Sequence, residues 1–266
     1  TDFDHPPLVA WLARISQELF GLSSFGTRAI FVLSGILFQY YLFLFLKELI
    51  EKSLVAYQSV LILSSTPLFL FIFSFAVLPD SALLLPWLLS MLFLLRFLKR
   101  GNLVWIILWG LFVGLAMLAK VTAVTLFLSS FLVFCFVERK NLKFRKVLQV
   151  LSAVIVAVAI FSPYLYWNAD HNWPSFAFMA KRISGGTRFQ PFYAMAIQFG
   201  QALFVGPLLY YFLWQGVWKK RKKIFNDLKK GELIPTFLLS FFLVSQFGFS
   251  FLAIFKKVLP HWMGVS

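Results

Sequence analysis

Residues 103–137 read LVWIILWGLFVGLAMLAKVTAVTLFLSSFLVFCFV and contain a single charged side chain, that of Lys120. An α-helix crosses the hydrocarbon core of a bilayer, about 30 Å thick, in about 20 residues, so this stretch is too long for one crossing. A lysine inside a membrane is costly unless it reaches the interface or meets an anion. The stretch therefore predicts two helices, 103–119 and 121–137, that form a tight hairpin with Lys120 at the turn.

The composition of the whole chain extends this prediction. Hydrophobic residues make up 61% of the 266 residues and charged residues 13%, whereas a soluble domain carries roughly 25% charged residues. The apolar runs are long and continuous, which indicates helices, because the strands of a membrane barrel alternate between apolar and polar residues. We predict an all-α, polytopic membrane protein with about eight transmembrane helices. The predicted spans are 27–46, 54–78, 81–98, 103–119, 121–137, 147–167, 192–217 and 234–255.

An amphipathic helix precedes the first of these spans. In LVAWLARISQELF, residues 8–20, polar residues share one face and apolar residues share the other. The apolar face consists of Leu8, Trp11, Leu12, Ile15 and Leu19. Such a helix is typical of a segment that lies in the membrane interface. We expect Pro6 and Pro7 to open it and Gly21 to end it.

The basic residues predict the orientation. The chain has 25 lysines and arginines and a net charge of +15, but they lie in short clusters between the apolar runs, which argues against a nucleic-acid partner. With the predicted spans, seventeen of the 25 lie on the side opposite the N-terminal residues. By the positive-inside rule that side is cytoplasmic and the N-terminal side is outer. We predict an inner-membrane protein whose active face is periplasmic or extracellular.

Several classes of function lack their sequence signals. No Walker loop, GxGxxG or HExxH motif is present, so ATP-driven transport and zinc proteolysis have no support. No predicted span carries a string of carboxylates or histidines, which weakens an ion-coupled transporter. Cys135 is the single cysteine, which excludes a disulfide within the chain and a zinc site built from several cysteines. We expect Cys135 to serve in packing.

Two charged residues stand out at the ends of predicted helices. Asp80 suits the N-cap of a helix that starts at Ser81, and it can also line a site at that helix end. Lys120 either snorkels to the interface or binds a lipid phosphate. Gly110 and Gly114, four residues apart, predict a face on which another helix can approach closely.

The outer side also gathers the three histidines, His5, His171 and His261. The long outer loop, 168–191, adds Lys181, Arg182 and Arg188 among aromatic residues. Cations of this kind can hold phosphate oxygens, so the loop is either a solvated surface or a binding surface for a phosphate-bearing sugar ligand. Asp4 and His5 either form the start of the helix or form a polar cluster that holds a metal ion, an acceptor or a phosphate.

Five stretches in this order carry a family resemblance. They are FDHPPLVAWLARISQELFG followed by FGTRAIFVLSG; LPDSALLLPW; GLFVGLAMLAKVTAV; FSPYLYWNADHNWPSFAF; and LPHW. The chain resembles membrane glycosyltransferases of the GT-C type, in the bacterial, family 39-like branch of the protein mannosyltransferase and aminoarabinose transferase superfamily. The resemblance covers essentially the whole chain. It implies one GT-C-like transmembrane domain over residues 1–266, with residues 1–26 forming the end of a first outer loop.

The resemblance implies transfer of a sugar from a polyprenyl-phosphate donor to an envelope lipid, glycan or protein, with inversion. In this family the main catalytic carboxylate belongs to an Asp-Glu pair before the DHPP stretch. We therefore expect that pair upstream of Thr1, in a chain truncated at both ends, and an accessory role for Asp4. The donor phosphate would be bound by His5, Lys120, Arg182 and His261. The substrate loop would contain Asp80, His171 and Arg188.

A divalent metal ion, if one is used, would be held by Asp4 and His171. The main alternative to an enzyme is a flippase or carrier for lipid-linked sugars, which would also use cations and aromatic residues but needs no catalytic acid. A structural membrane subunit is a third hypothesis, and it predicts that Asp4 and Lys120 can be replaced without changing envelope glycans.

Overall fold

The structure is a computed structural model that describes residues 5–74, 76–139, 143–184, 189 and 191–255. Every regular element in these ranges is helical, which confirms the all-α prediction. The helices are α1 (Leu8–Phe20), α2 (Ser24–Ile50), α3 (Ser53–Ser64), α4 (Pro67–Ser74), α5 (Pro79–Arg100), α6 (Leu103–Ala119), α7 (Val124–Glu138), α8 (Phe144–Asp170), α9 (Pro174–Ser184), α10 (Pro191–Val205), α11 (Pro207–Lys230) and α12 (Leu233–Phe255). A short 3-10 turn, Val121–Ala123, precedes α7.

Five of the described segments are long and apolar enough to cross a membrane. They are α2, α5, the 3-10 turn together with α7, α8 and α12. The bent pair of α10 and α11 counts as a sixth span if it is taken as one. Two further apolar helices, α3 and α6, are shorter. Three predicted spans account for the difference from about eight, because 54–78 and 192–217 are broken and 103–119 forms α6, which has only 17 residues.

The first broken span is 54–78, which forms α3 and α4. Helix α3 ends at Ser64, and α4 begins at Pro67. Proline has no N–H for the helix ladder, and it disfavours helical backbone at the residue before it, here Thr66. The prediction of one helix was wrong because the apolar run outweighed the signal of a single proline.

The second broken span is 192–217. Helices α10 and α11 are bent by 113° at Gly206. The φ angle of Gly206 is +101°, in a region that L side chains rarely adopt, and Pro207 begins the next helix. A glycine followed by a proline therefore turns the chain sharply where hydropathy alone predicted a continuous helix.

The chain forms two compact units, and the first comprises Thr1–Ser65, Phe69–Val124 and Phe144–Arg182. Its central helix is α5, because 83% of the apolar window of α5 is buried. Helix α5 packs against α2 and α6, and α6 packs against α8. Helix α1 packs on α2 and also touches α5 and α6.

The α6–α8 contact confirms the predicted close approach at Gly110 and Gly114. A Cβ atom on Gly110 would lie 2.2 Å from the carbonyl oxygen of Ala153. One on Gly114 would lie 2.7 Å from the Cβ of Ile160 and 2.8 Å from the carbonyl oxygen of Ala157. Because glycine has no side chain, the two backbones can approach closely, as they do at small residues in membrane helix pairs.

The second unit comprises Thr66–Leu68, Thr125–Lys143 and Ile183–Ser266. Within it, α10 packs against α12 through Ile197, Phe249 and Ala253. The prediction that Cys135 serves in packing was wrong, because this residue of α7 is exposed. The single-domain prediction for residues 1–266 stays a prediction.

Candidate functional site

The helix break at Lys120 is present, as the sequence predicted. Helix α6 ends at Ala119, and Lys120 adopts extended backbone with φ −158° and ψ 132°. Its N–H still donates to the carbonyl oxygen of Ala116 at 3.0 Å. The 3-10 turn then follows directly, so Lys120 is the residue at which the chain leaves α6.

The side chain of Lys120 forms a buried ion pair with Asp80. The ammonium Nζ lies 2.8 Å from Oδ1 and 3.0 Å from Oδ2 of the carboxylate. The side chain of Lys120 is 5% exposed and that of Asp80 is 7% exposed. The ammonium therefore bonds both carboxylate oxygens in surroundings from which solvent is largely excluded. A snorkelling lysine would instead be exposed.

The predicted N-cap role of Asp80 was wrong. Helix α5 begins at Pro79 with Leu78 in the cap position, so Asp80 lies within the first turn. The carboxylate still lies in the first turn of α5, close to the positive end of the helix dipole. The neighbouring hydroxyl of Ser81 donates to the carbonyl oxygen of Ala76 at 2.7 Å and so binds the preceding loop.

The relative direction of α2 and α5 shows which other residues lie at the Asp80 end of the first unit. Near their C-terminal ends, Arg96 donates through Nε to Oε1 of Glu48 at 2.8 Å. The guanidinium also lies 4.9 Å from the centre of the Trp105 ring. This contact joins the C-terminal ends of α2 and α5, and α1, at the N-terminal end of α2, also packs on α5, so α2 and α5 run parallel with their N-terminal ends together. Helix α1, which leads directly into α2, lies at the Asp80 end.

The relative direction of α6 and α8 shows that their C-terminal ends also lie at the Asp80 end of the first unit. Gly110 is opposite Ala153, and Gly114 is opposite Ala157 and Ile160, so these two helices also run parallel. Their C-terminal ends are therefore at the same end of the unit. Lys120 and the last turns of α8, which lead to His171, share the end that also contains Asp80 and α1.

His171 forms a small exposed cluster after α8. Its ring stacks on that of Trp167, with 4.6 Å between ring centres. Nδ1 lies 2.8 Å from the carbonyl oxygen of Trp167 and 3.5 Å from Oδ2 of Asp170. The described residues contain no group of three or more His, Cys, Asp or Glu side chains that could hold a metal ion. The metal site of Asp4 and His171 stays a prediction, and we derive no chemical step through it.

Helix α1 begins and ends where the sequence predicted, with Pro7 in the cap position and Gly21 after its last residue. Its buried Ser16 hydroxyl donates to the carbonyl oxygen of Gly26 and accepts from the N–H of Ile30 at 3.1 Å. Three residues of the predicted apolar face are exposed, with Trp11 at 44%, Ile15 at 46% and Leu19 at 68%, whereas Leu8 at the start of the helix is buried. Exposed apolar residues on one face fit the predicted interfacial helix.

The other predicted site residues are only partly described. His5 is exposed just before α1. Arg182 lies within α9, a helix that the sequence analysis did not predict inside the loop 168–191. Asp4, Arg188 and His261 lie outside the described residues.

The sequence did not predict that Asp80 and Lys120 form a pair. Asp80 and Lys120 each stood out, but as separate residues 40 positions apart. A usable signal did exist, because each is an isolated charge at the same predicted end of neighbouring helices. Two opposite charges in apolar surroundings are expected to find each other.

Comparisons with known proteins agree with this architecture. The sequence profile of the dolichyl-phosphate-mannose-protein mannosyltransferase family, PMT_2, matches residues 4–167. No curated protein matches the chain. The fold is similar to that of ArnT from Cupriavidus metallidurans bound to undecaprenyl phosphate, with a TM-score of 0.71 and 19% identity over 99% of this chain and 48% of that one. The apo state of the same protein gives a TM-score of 0.70 and 19% identity over 99% of this chain and 47% of that one.

The chain thus spans about half the length of the solved structures that it matches. The profile match covers more than half of this chain and includes Asp80, Lys120 and the α6–α8 contact. On this evidence the chain is an integral membrane protein that belongs to the dolichyl-phosphate-mannose-protein mannosyltransferase family.

Proposed function

We propose that this chain is part of a glycosyltransferase that moves a sugar from a polyprenyl-phosphate donor to an envelope lipid, glycan or protein. Family membership supports this, and so does the fold shared with ArnT, one of whose structures contains undecaprenyl phosphate. The single observation that carries the proposal is the buried Asp80–Lys120 ion pair. Replacing a buried ion pair by a hydrophobic pair of similar volume is often neutral or stabilising, so the presence of charges here favours a functional role.

The reaction breaks the bond between the anomeric carbon of the sugar and the donor phosphate oxygen. A hydroxyl or amine of the acceptor forms the new bond to that carbon from the opposite face, passes its proton to a carboxylate that acts as the base, and leaves the sugar inverted. Polyprenyl phosphate departs with the electron pair of the broken bond. Charge therefore accumulates on the phosphate, and fixed cations near it lower the barrier.

Lys120 is the cation that we place near the departing phosphate, with Asp80 as its positioning residue. The carboxylate bonds to the ammonium and fixes its place at the end of α6. Groups that are held in place before the reaction need no reorganisation when the charge develops. His5, Arg182 and His261 complete the proposed phosphate contacts, and His171 and Arg188 belong to the proposed substrate loop.

Replacing Lys120 by methionine should lower the rate of transfer about a hundredfold, the typical cost of losing one group that stabilises developing charge. The measurement is the release of polyprenyl phosphate from a polyprenyl-phosphate-linked sugar by the full-length protein in the presence of envelope extract. Glu48→Gln is the matched control, since it breaks the ion pair at the opposite end of α5. It should leave the rate nearly unchanged.

Equal activity of both variants would contradict the role of Lys120. If the protein is a flippase, the unmodified protein would move the lipid-linked sugar across the bilayer of proteoliposomes without releasing polyprenyl phosphate. A structural subunit would do neither.

The proposed orientation in the membrane predicts which exposed positions an impermeant reagent can reach from outside the cell. In a Cys135→Ser background, a cysteine at exposed Ala180 in α9 should react with an impermeant thiol reagent added to intact cells. A cysteine at exposed Asn226 in α11 should react only after the membrane is permeabilised. These outcomes follow from placing the basic clusters on the cytoplasmic side. Labelling with the opposite pattern would reverse the proposed topology and remove the site from the outer face.

A further inference from the structure

Helix α11 has two halves of different chemistry. Residues 207–218, PLLYYFLWQGVW, are apolar and aromatic, and residues 219–230, KKRKKIFNDLKK, contain seven basic residues and one acid. All of α11 is described, and none of its residues is buried. Within the described ranges, no salt bridge joins the five cations of 219–223 to a carboxylate. We call residues 218–230 the basic segment.

The direction of α11 is fixed by a polar corner inside the second unit. The hydroxyl of Tyr210, in the first turn of α11, donates to Oε1 of Gln198 in α10. The amide of Gln246 in α12 donates to the same oxygen at 2.9 Å and to Oε1 of Gln201 at 2.8 Å. Gln198 in turn donates to Ser250 at 2.8 Å. These bonds hold the bend at Gly206 from both sides.

Aromatic contacts extend this corner along α11. The rings of Tyr210 and Trp214 meet edge to face, with 6.2 Å between centres, and Trp214 meets Phe242 of α12 at 5.6 Å. The bend of 113° between α10 and α11 is therefore supported by packing as well as by hydrogen bonds. If α10 crosses the bilayer, a helix turned by this angle runs nearer to the membrane plane than to its normal.

Large aromatic side chains lie among the cations. Trp218 is 68% and Phe225 57% exposed. The guanidinium of Arg221 lies 4.4 Å from the centre of the Trp218 ring, and the ammonium of Lys229 lies 4.5 Å from that of Phe225. Exposed aromatic residues beside cations are typical of helices that lie in the headgroup region of a membrane.

We propose that the basic segment of α11 is a docking surface for anionic phospholipid headgroups in the leaflet that it faces. Its charge complements that of the cytoplasmic leaflet, and each lysine or arginine near such a surface adds about a fivefold gain in affinity. The aromatic rings insert beside the headgroups while the cations bind phosphate oxygens. This role does not depend on the proposed transfer reaction.

The test uses the purified full chain in detergent and native mass spectrometry with phosphatidylglycerol or phosphatidylcholine of the same acyl chains. We expect phosphatidylglycerol to bind at least about tenfold more tightly, since several cations act together. A variant with glutamine at all five positions 219–223 should lose this preference. A charge-conserving variant with arginine at Lys219, Lys220, Lys222 and Lys223 should keep it.

Two further results complete the test. The preference of the unmodified chain should fall as salt is raised, because exposed charges are screened, and this result needs no variant to fold. The proposal is overturned if the glutamine variant keeps the preference or if the unmodified chain shows none. The basic segment would then be a binding surface for an acidic protein or for another part of a longer chain. Neither lipid is a glycosyl donor, so the result is independent of the transfer reaction.

Discussion

Replacing Lys120 by methionine is expected to lower the free energy of unfolding by about 3–5 kcal/mol, because it leaves the carboxylate of Asp80 buried without its cation. Both side chains are more than nine-tenths buried, so solvent cannot take over the role of the lost partner. Asp80→Leu should cost a similar amount for the converse reason. Equilibrium unfolding in mixed micelles measures both values.

The double variant Asp80→Leu, Lys120→Met should be much closer to the unmodified protein than either single variant, since it removes both charges and the cost of burying them. Additive effects of the two changes would contradict a coupled pair. The same variant separates folding from function. If it is stable but transfers no sugar, the pair is needed for the reaction and not for the fold.

Replacing Gly110 by alanine is the second change with a large expected effect. The new Cβ would lie 2.2 Å from the carbonyl oxygen of Ala153, which is a backbone atom and cannot rotate away. Helices α6 and α8 would have to separate, at a cost of about 1–3 kcal/mol or more. The measurement is the free energy of unfolding, together with the rate of transfer, because α6 also positions Lys120.

Gly248→Ala is the matched control, because no described atom lies within 4 Å of a Cβ at that position in α12. Alanine is the better helix former by about 1 kcal/mol, so this variant should be as stable as the unmodified protein or more stable. Equal losses for the two substitutions would mean that the α6–α8 contact is not as close as described.

Much of the fold could be predicted from the sequence because it depends on local chemistry. The break at Lys120 follows from the length of an apolar run and one charge, and the close approach of α6 and α8 follows from two glycines at helical spacing. The start and end of α1 follow from proline and glycine. In each case the signal and the structure lie within one helix or one turn.

The breaks in the other two spans were missed for a physical reason. Membrane helices tolerate proline and glycine when neighbouring helices satisfy the freed backbone groups. Whether Pro67 and Gly206 interrupt a span therefore depends on their neighbours, which hydropathy does not report. Near Gly206 the side chains of Tyr210 and Gln246 both bond to Gln198, and these contacts join three helices that are separate in the sequence.

The sequence by itself determined that this chain is helical and has several apolar runs long enough to cross a membrane, with most of its basic residues in short clusters between them. Apolar run length and charge distribution decide those properties without any long-range contact. Only the tertiary structure decided that Asp80 and Lys120 form one buried ion pair, and that α1 and His171 share their end of the first unit. A pair of this kind depends on how helices far apart in the sequence align, and that alignment is decided by packing between them.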